Sequence, residues 1–356
     1  MTQAAILAAS GSPGTTTGFK NKLINGNMVI DQRNAGASIN PTDGQYSVDR
    51  WKCRRDLTSK YTIQQSTTAP TGFSNSILVT SSSAYSVPSS GYYFLLQAIE
   101  GFNTADLGWG TANAKTVTLS FQVYSSLTGT FGGSLNNSAE NYSYPFSYSI
   151  PTANTWTTIS VTIAGPTAGT WIGSTNGNGI NVNFGLGVGS SLSGTAGAWA
   201  AAGYYSATGA TSVVGTSGAT FYLTGCQLEV GTTATNFDFR SIGTELILCQ
   251  RYFQKFLGTE SAEILQWFGT AYTTTGAEGP LTFKQTMRTA PTFTSSTLRI
   301  TDGATNYGSG TFAMDSIGVN SGRMYSSGNS GLTQFRPYYC TANNSTSAYV
   351  FLNAEL

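Results

Sequence analysis

From residue 61 to residue 230 the chain repeats one pattern: four to eight β-forming residues, then a break of Gly, Pro, Ser or Asn. Residues 117–124 and 157–163 alternate apolar and polar positions cleanly, 61–64, 76–79 and 92–96 are shorter runs of β-formers, and 179–186 is a further strand. Alternation sends successive side chains to opposite faces of a strand. Short strands at this spacing predict an antiparallel sandwich or barrel. No fixed repeat length is visible, which argues against a β-helix or propeller. Upstream, Asn25-Gly26 and residues 40–44 carry turn chemistry, and in 46–53 alternate residues can face inward. Residues 187–219, dominated by Gly, Ser, Ala and Thr, read as a long surface loop, and 221–223 with 227–230 close the first domain.

The periodicity changes once. Leu246, Cys249, Phe253 and Phe256 fall at 3-4-3 spacing with Tyr252 beside them, so one amphipathic helix is predicted over 241–257. Thr244 is the expected N-cap, with Glu245 in the first turn facing the helix dipole. A helix this short must pack on something. It either caps the sandwich edge or meets copies from other chains around an axis, as an oligomer-interface helix. After it, runs at 264–268, 281–283, 292–294, 298–300, 311–314, 334–335 and 348–352 predict a compact second sandwich. The expected fold is all-β: a flexible arm (1–20), a large antiparallel jelly-roll sandwich (21–240), a short linking helix (241–257) and a smaller C-terminal β-sandwich (258–356).

Composition sharpens this. Only 9% of residues are charged while Gly alone numbers 42, a mixture suited to pleated surfaces and turns rather than helices. Net charge is +1, with Lys and Arg scattered, so the basic stripe that nucleic acid requires is missing. No apolar run reaches the roughly 20 residues of a membrane span, and residues 1–19 lack the basic and apolar regions of a secretory signal. Cys53, Cys226, Cys249 and Cys340 share no metal or redox spacing and read as buried free thiols. Arg54, Arg55 and Asp56 read as a solvated rim.

The chain contains no histidine. Ser-His-Asp and Cys-His nucleophiles and His-metal sites are thereby excluded, and no Walker loop or dinucleotide fingerprint is present. No feature selects a carboxylate pair for glycan cleavage. A structural calcium on Asp43, Asp49 or Glu229 is allowed by chemistry alone. The expectation is no catalytic residue, no cofactor and no metal. Rings in loops suit sugars, because apolar sugar faces stack on them while Asn, Gln and Thr supply hydrogen bonds. The candidates are Trp199, Tyr204 and Tyr205, then Tyr142, Tyr144 and Tyr148, and in the second domain Arg323, Tyr325, Arg336, Tyr338 and Tyr339. The competing reading places these rings in the core or a subunit interface.

Three passages resemble bacteriophage tail-fibre and related virion structural proteins. Lys22-Leu23-Ile24-Asn25-Gly26-Asn27-Met28 with Tyr46-Ser47-Val48-Asp49-Arg50-Trp51 resembles the opening of a carbohydrate-binding-module-like jelly roll, with Met28 where Phe is usual. Gln227-Leu228-Glu229-Val230-Gly231 through Ala234-Thr235-Asn236-Phe237 is similar to its closing segment. Glu245-Leu246 with Cys249-Gln250-Arg251-Tyr252-Phe253 resembles the linker that follows, and Met287-Arg288-Thr289-Ala290-Pro291 with residues 351–356 fits the small β-domain after it. The resemblance implies a virion protein assembled in the host cytoplasm, usually a homotrimer. Its N-terminal arm would dock on other virion proteins, and its loops or distal domain would contact host cell-surface polysaccharide. The motifs are scaffold motifs and carry no ligand residues. Two other roles stay open: a capsid decoration or head-fibre protein, and a glycan-cleaving tailspike.

Overall fold

The computed structural model describes residues 19–356; the expected arm lies outside the described residues up to residue 18. The chain forms two units, one ending at Ser241 and the other spanning Ile242–Leu356.

In the larger unit, ten strands build two five-stranded antiparallel sheets. The first runs β1 (Lys52–Arg55), β4 (Tyr92–Glu100), β9 (Asn178–Val188), β6 (Gly129–Asn137), β7 (Ser143–Ile150) in spatial order. The second runs β2 (Tyr61–Ser66), β3 (Ser76–Ser81), β12 (Thr220–Val230), β5 (Val117–Ser125), β8 (Thr157–Ile163). Apart from the hairpins β2–β3 and β6–β7, strands adjacent in space are distant in sequence, the crossed connectivity of a jelly roll. Inward residues of both sheets, among them Tyr93, Leu95, Phe131 and Phe184 facing Val79, Phe121, Val123 and Phe221, fill one core. Each such fully buried side chain is worth about 1.5–3 kcal/mol.

The opening and closing motifs plug one end of this sandwich. Asn25 is buried in a left-handed conformation (φ 56°). Its amide donates to the carbonyls of Ile30 (2.8 Å) and Asp49 (2.9 Å) and accepts from the Ile30 N–H. The Trp51 indole N–H donates to the Asn25 carbonyl at 3.1 Å. Gly26 lies against the closing strand so closely that a Cβ there would stand 2.1 Å from the Cys226 carbonyl oxygen. Residues 200 positions apart are thus fixed together, as scaffold motifs should be.

The smaller unit pairs a three-stranded sheet with a seven-stranded one around a single core containing Phe256, Trp267, Ile300, Met324, Val350 and Leu352. The small sheet orders β13 (Phe253–Phe256), β22 (Tyr349–Asn353), β16 (Thr292–Ser296). The large one orders β18 (Asn306–Tyr307), β17 (Leu298–Thr301), β21 (Pro337–Ala342), β14 (Ile264–Ala271), β15 (Ala277–Thr282), β20 (Ser321–Ser327), β19 (Thr311–Asp315).

Several local expectations are corrected. The helix, α1, is Ile242–Gln250 and starts before Thr244, so Thr244 does not cap it. The 3-4-3 stripe is not a helical face. Phe253 and Phe256 sit on β13, three residues apart and therefore on opposite sides of a strand. Pairing with β22 captures this segment, and Phe253 packs on Phe351 at 5.1 Å. Of the five proposed interface residues only Leu246 and Cys249 lie on α1, while Tyr252 follows it; Cys249, Tyr252, Phe253 and Phe256 are all buried. The apolar side chains α1 exposes are Ile242 and Ile247. Residues 46–51 form bends rather than a strand, with Arg50 at φ 72°, and residues 334–335 form a turn with Phe335 at φ 65°. Arg55 is buried, and Arg54 pairs with Asp43 (3.2 Å) and Glu140 (3.7 Å), so of the expected solvated rim only Asp56 is exposed.

Candidate functional site

The two outer faces of the large sandwich differ. Of the long surface loop expected over 187–219, the first two residues belong to β9, and the rest lies over β4, β9 and β6 and adds a two-residue parallel pair, β10 (Ser193–Gly194) and β11 (Ser206–Ala207). Gly132 and Gly185 admit it: a Cβ on either would stand within 2.8 Å of the Ser206 hydroxyl. Beneath it Ser134, Asn136 and Asn183 are buried and mutually bonded. Ser134 Oγ donates to Asn136 Oδ1 at 2.8 Å, Asn183 Nδ2 donates to both, and Asn136 Nδ2 donates to the Tyr204 carbonyl at 2.9 Å. Tyr205 stacks on Phe94 at 4.5 Å, and its hydroxyl donates to Glu140 Oε2 at 2.6 Å. Burial, then that carboxylate, raise the Tyr205 phenol well above its ordinary range.

Trp199 belongs to this sealed side. Its ring stacks on Tyr142 at 5.7 Å and meets Trp109, Trp171 and Tyr144 edge-on at 5.2–5.5 Å. Its indole N–H is spent on the Ala164 carbonyl at 2.7 Å. Tyr144 and Tyr148 point into the core. Tyr142, Tyr144, Tyr148, Trp199 and Tyr205 are therefore packed against other rings, whereas half-buried Tyr204 is held by its backbone, whose N–H donates to Ser143 and whose carbonyl accepts from Asn136.

The second sheet is different. Of its outward positions on β5 and β8, Thr118 and Thr162 are hydrogen-bonded, whereas the side chains of Ser120, Gln122, Thr158 and Ser160 make no hydrogen bond among the described residues. These four floor a groove of about 530 Å³, walled at one end by Phe73, Phe237 and Phe239. The three rings lie 4.8–5.2 Å apart, and Phe239 is 56% exposed. A bulge in β12 between Thr224 and Gln227 makes room for Phe73. Gly225 occupies it at φ 62°, where an added Cβ would strike the Phe73 ring at 2.9 Å. None of the fifteen lining residues is ionisable.

One step along the same face, Tyr124 of β5 stands opposite Tyr222 of β12, with centroids 5.0 Å apart. Trp156 joins them at 5.6 and 6.2 Å. Of the six tryptophans, Trp51, Trp109, Trp171, Trp199 and Trp267 donate their indole N–H to backbone carbonyls. Trp156 donates to no atom among the described residues. Sequence reading missed it, although residues 117–124 carry the signal: Tyr124 shares the outward parity of Ser120 and Gln122.

In the smaller unit the five candidates separate. Tyr338 is core, its hydroxyl accepting the Thr333 N–H at 2.9 Å, and is unavailable for stacking. Arg336 pairs with Asp302 at 3.1 Å. Arg323, Tyr325 and Tyr339 share the outer face of the seven-stranded sheet, where Arg323 grips Asp315 (2.6 Å) and Glu278 (3.0 Å). Its hydrogen bonds hold the Asp315 carboxyl below the ordinary range. A cleft of about 320 Å³ in this unit includes Glu263 and Lys284 and so carries charge. Among the described residues no three His, Cys, Asp or Glu side chains group as a metal site needs. Asp43, Asp49 and Glu229 are each engaged by protein donors, Arg54, Gln32 and Thr235 respectively.

No family model matches the sequence, and no curated protein matches it. Among solved structures the chain is similar to the enzymatically active domain of tailspike protein 4 from bacteriophage CBA120 (TM-score 0.32, 12% identity, 59% of this chain and 21% of that one). It is similar to a proposed sugar-binding protein from Bacteroides thetaiotaomicron VPI-5482 (TM-score 0.36, 11% identity, 60% and 100%). It is also similar to the family 11 carbohydrate-binding module of Clostridium thermocellum in complex with a β-1,3-1,4-mixed-linked tetrasaccharide (TM-score 0.27, 12% identity, 54% and 94%). The chain spans about a fifth of the tailspike chain's length. At these TM-scores the likenesses decide neither ligand nor activity, and the jelly-roll description rests on the strand order and register above.

Proposed function

We propose that this chain is a virion structural protein of the tail-fibre type that adheres to host surface glycans through the open sheet face of its larger unit, without cleaving them. The carrying observation is the uncharged groove on that face. Its unbonded hydroxyl and amide groups, bracketed by ring faces, are the two features sugar recognition combines. The phage assignment draws on the scaffold motifs, whose Asn25, Asp49, Trp51 and Gln227 lock the sandwich together. Assembly as a homotrimer, with docking to other virion proteins through the N-terminal arm, would multiply weak contacts by avidity.

The test is retention of the full chain on host cells and on immobilised host polysaccharide, with reducing ends assayed in parallel. Retention that Phe239→Ala abolishes, with no reducing ends released, supports the reading. Retention indifferent to Phe239, or release of reducing ends, overturns it. Mass measurement in solution addresses the trimer separately, and a monomer at micromolar concentration contradicts that part.

A further inference from the structure

We infer that the open face takes a linear, uncharged glycan several sugars long, laid along β5 from the phenylalanine cluster to Trp156. This rests on the glycan-binding reading above and adds the chemical class and length of the ligand. Ser120, Gln122 and Tyr124 are successive outward residues of one strand. The four-residue step from the first to the last covers roughly 14 Å, more than a single pyranose ring can span. Phe73, Phe237 and Phe239 bound one end of this track and Tyr124, Tyr222 and Trp156 the other. The polar side chains of the groove are hydroxyls and amides, and none of its lining is charged. An acidic sugar would leave its carboxylate there with no cation to neutralise it, which burial penalises. Trp156 marks the far end because its ring is half-buried on two tyrosines while its N–H is unspent. A sugar stacked there gains a hydrogen bond that none of the other five indoles can give.

The test is calorimetric titration of the full chain with linear neutral gluco-, galacto- and manno-oligosaccharides of one to six sugars, and with oligogalacturonates as the acidic counterpart. Affinity should rise at least about tenfold from the single sugar to the length that reaches Trp156, then level off. Trp156→Ala should return the longer oligomers to short-oligomer affinity and leave the short ones unchanged. Trp156→Phe, which keeps a ring and removes the donor, should restore part of the loss, and Trp199→Ala should leave every affinity unchanged. Affinity that is flat with length, or a preference for the acidic series, overturns this inference while the glycan-binding reading stands. Failure of the wild-type chain to bind any oligomer overturns both.

Discussion

The two outer faces of the larger unit are made from the same kinds of residue and leave them in opposite states. Both carry Ser, Asn or Gln, Thr and aromatic rings on pleated strands. On the β4–β9–β6 side, the segment 189–219 covers them, and most of their polar groups bond within the protein, as in Ser134–Asn136–Asn183, where only the Asn183 Oδ1 is left without a partner. On the β12–β5–β8 side Gln122, Thr158 and Ser160 line an open groove, and they have no partners among the described residues. Residue type alone therefore does not mark a binding face. What marks it is whether each hydrogen-bonding group is already used, because a spent donor cannot serve a ligand without leaving a buried acceptor unpaired.

Two tryptophans give the sharpest way to break this contrast. Trp199→Ala on the sealed side should cost about 3 kcal/mol of unfolding free energy, since the ring fills a cluster of four others. Chemical denaturation measures this, and glycan retention should not change. Asn136→Ala should cost about 1–3 kcal/mol, because Asn183 Nδ2 loses an acceptor and the Tyr204 carbonyl loses its donor in a dry site. That variant too should bind as wild type does.

Alkali separates the faces differently. Burial pushes the Cys53 thiol up to about 12 from an ordinary 9.0. Its folded value exceeds its unfolded one, so its contribution is fully present below about pH 9 and is lost as pH rises toward 12. Unfolding midpoints should fall across that window, less so in Cys53→Ala. Glycan retention should stay flat from about pH 5 to 8, where no residue lining the groove titrates. A retention curve that bends in that range places an ionisable group in the site and contradicts the account. The smallest stability effect belongs to Trp156→Ala, expected below about 1 kcal/mol for a half-exposed ring. It should nonetheless carry one of the largest losses of binding to long glycans.

How far the sequence was legible follows the same physics. Strands rich in alternating Val, Ile and Thr, such as β5 and β8, were readable because their apolar parity is strong. β6 was not, since Gly129–Asn137 is mostly Gly, Asn and Ser and acquires strand structure only by pairing with β7 and β9. Missing β6 and β7 also misplaced Tyr144 and Tyr148, which alternation along β7 turns inward. Helical spacing at Phe253 and Phe256 misled because a 3-4 pattern over so few residues fits a turn and a strand equally well, and pairing with Tyr349–Asn353 decides between them. Trp199 stood out in a Gly- and Ser-rich segment, yet such segments can fold back flat when facing glycines let them approach, as Gly132 and Gly185 do.

The most direct test of the central claim compares three full-length proteins on one immobilised neutral polysaccharide from the host surface: wild type, Phe239→Ala with Trp156→Ala, and Trp199→Ala. The account predicts that the doubly substituted open-face protein washes through while wild type and Trp199→Ala are retained alike. Retention of the open-face variant, with loss in Trp199→Ala at matched folding, would contradict it.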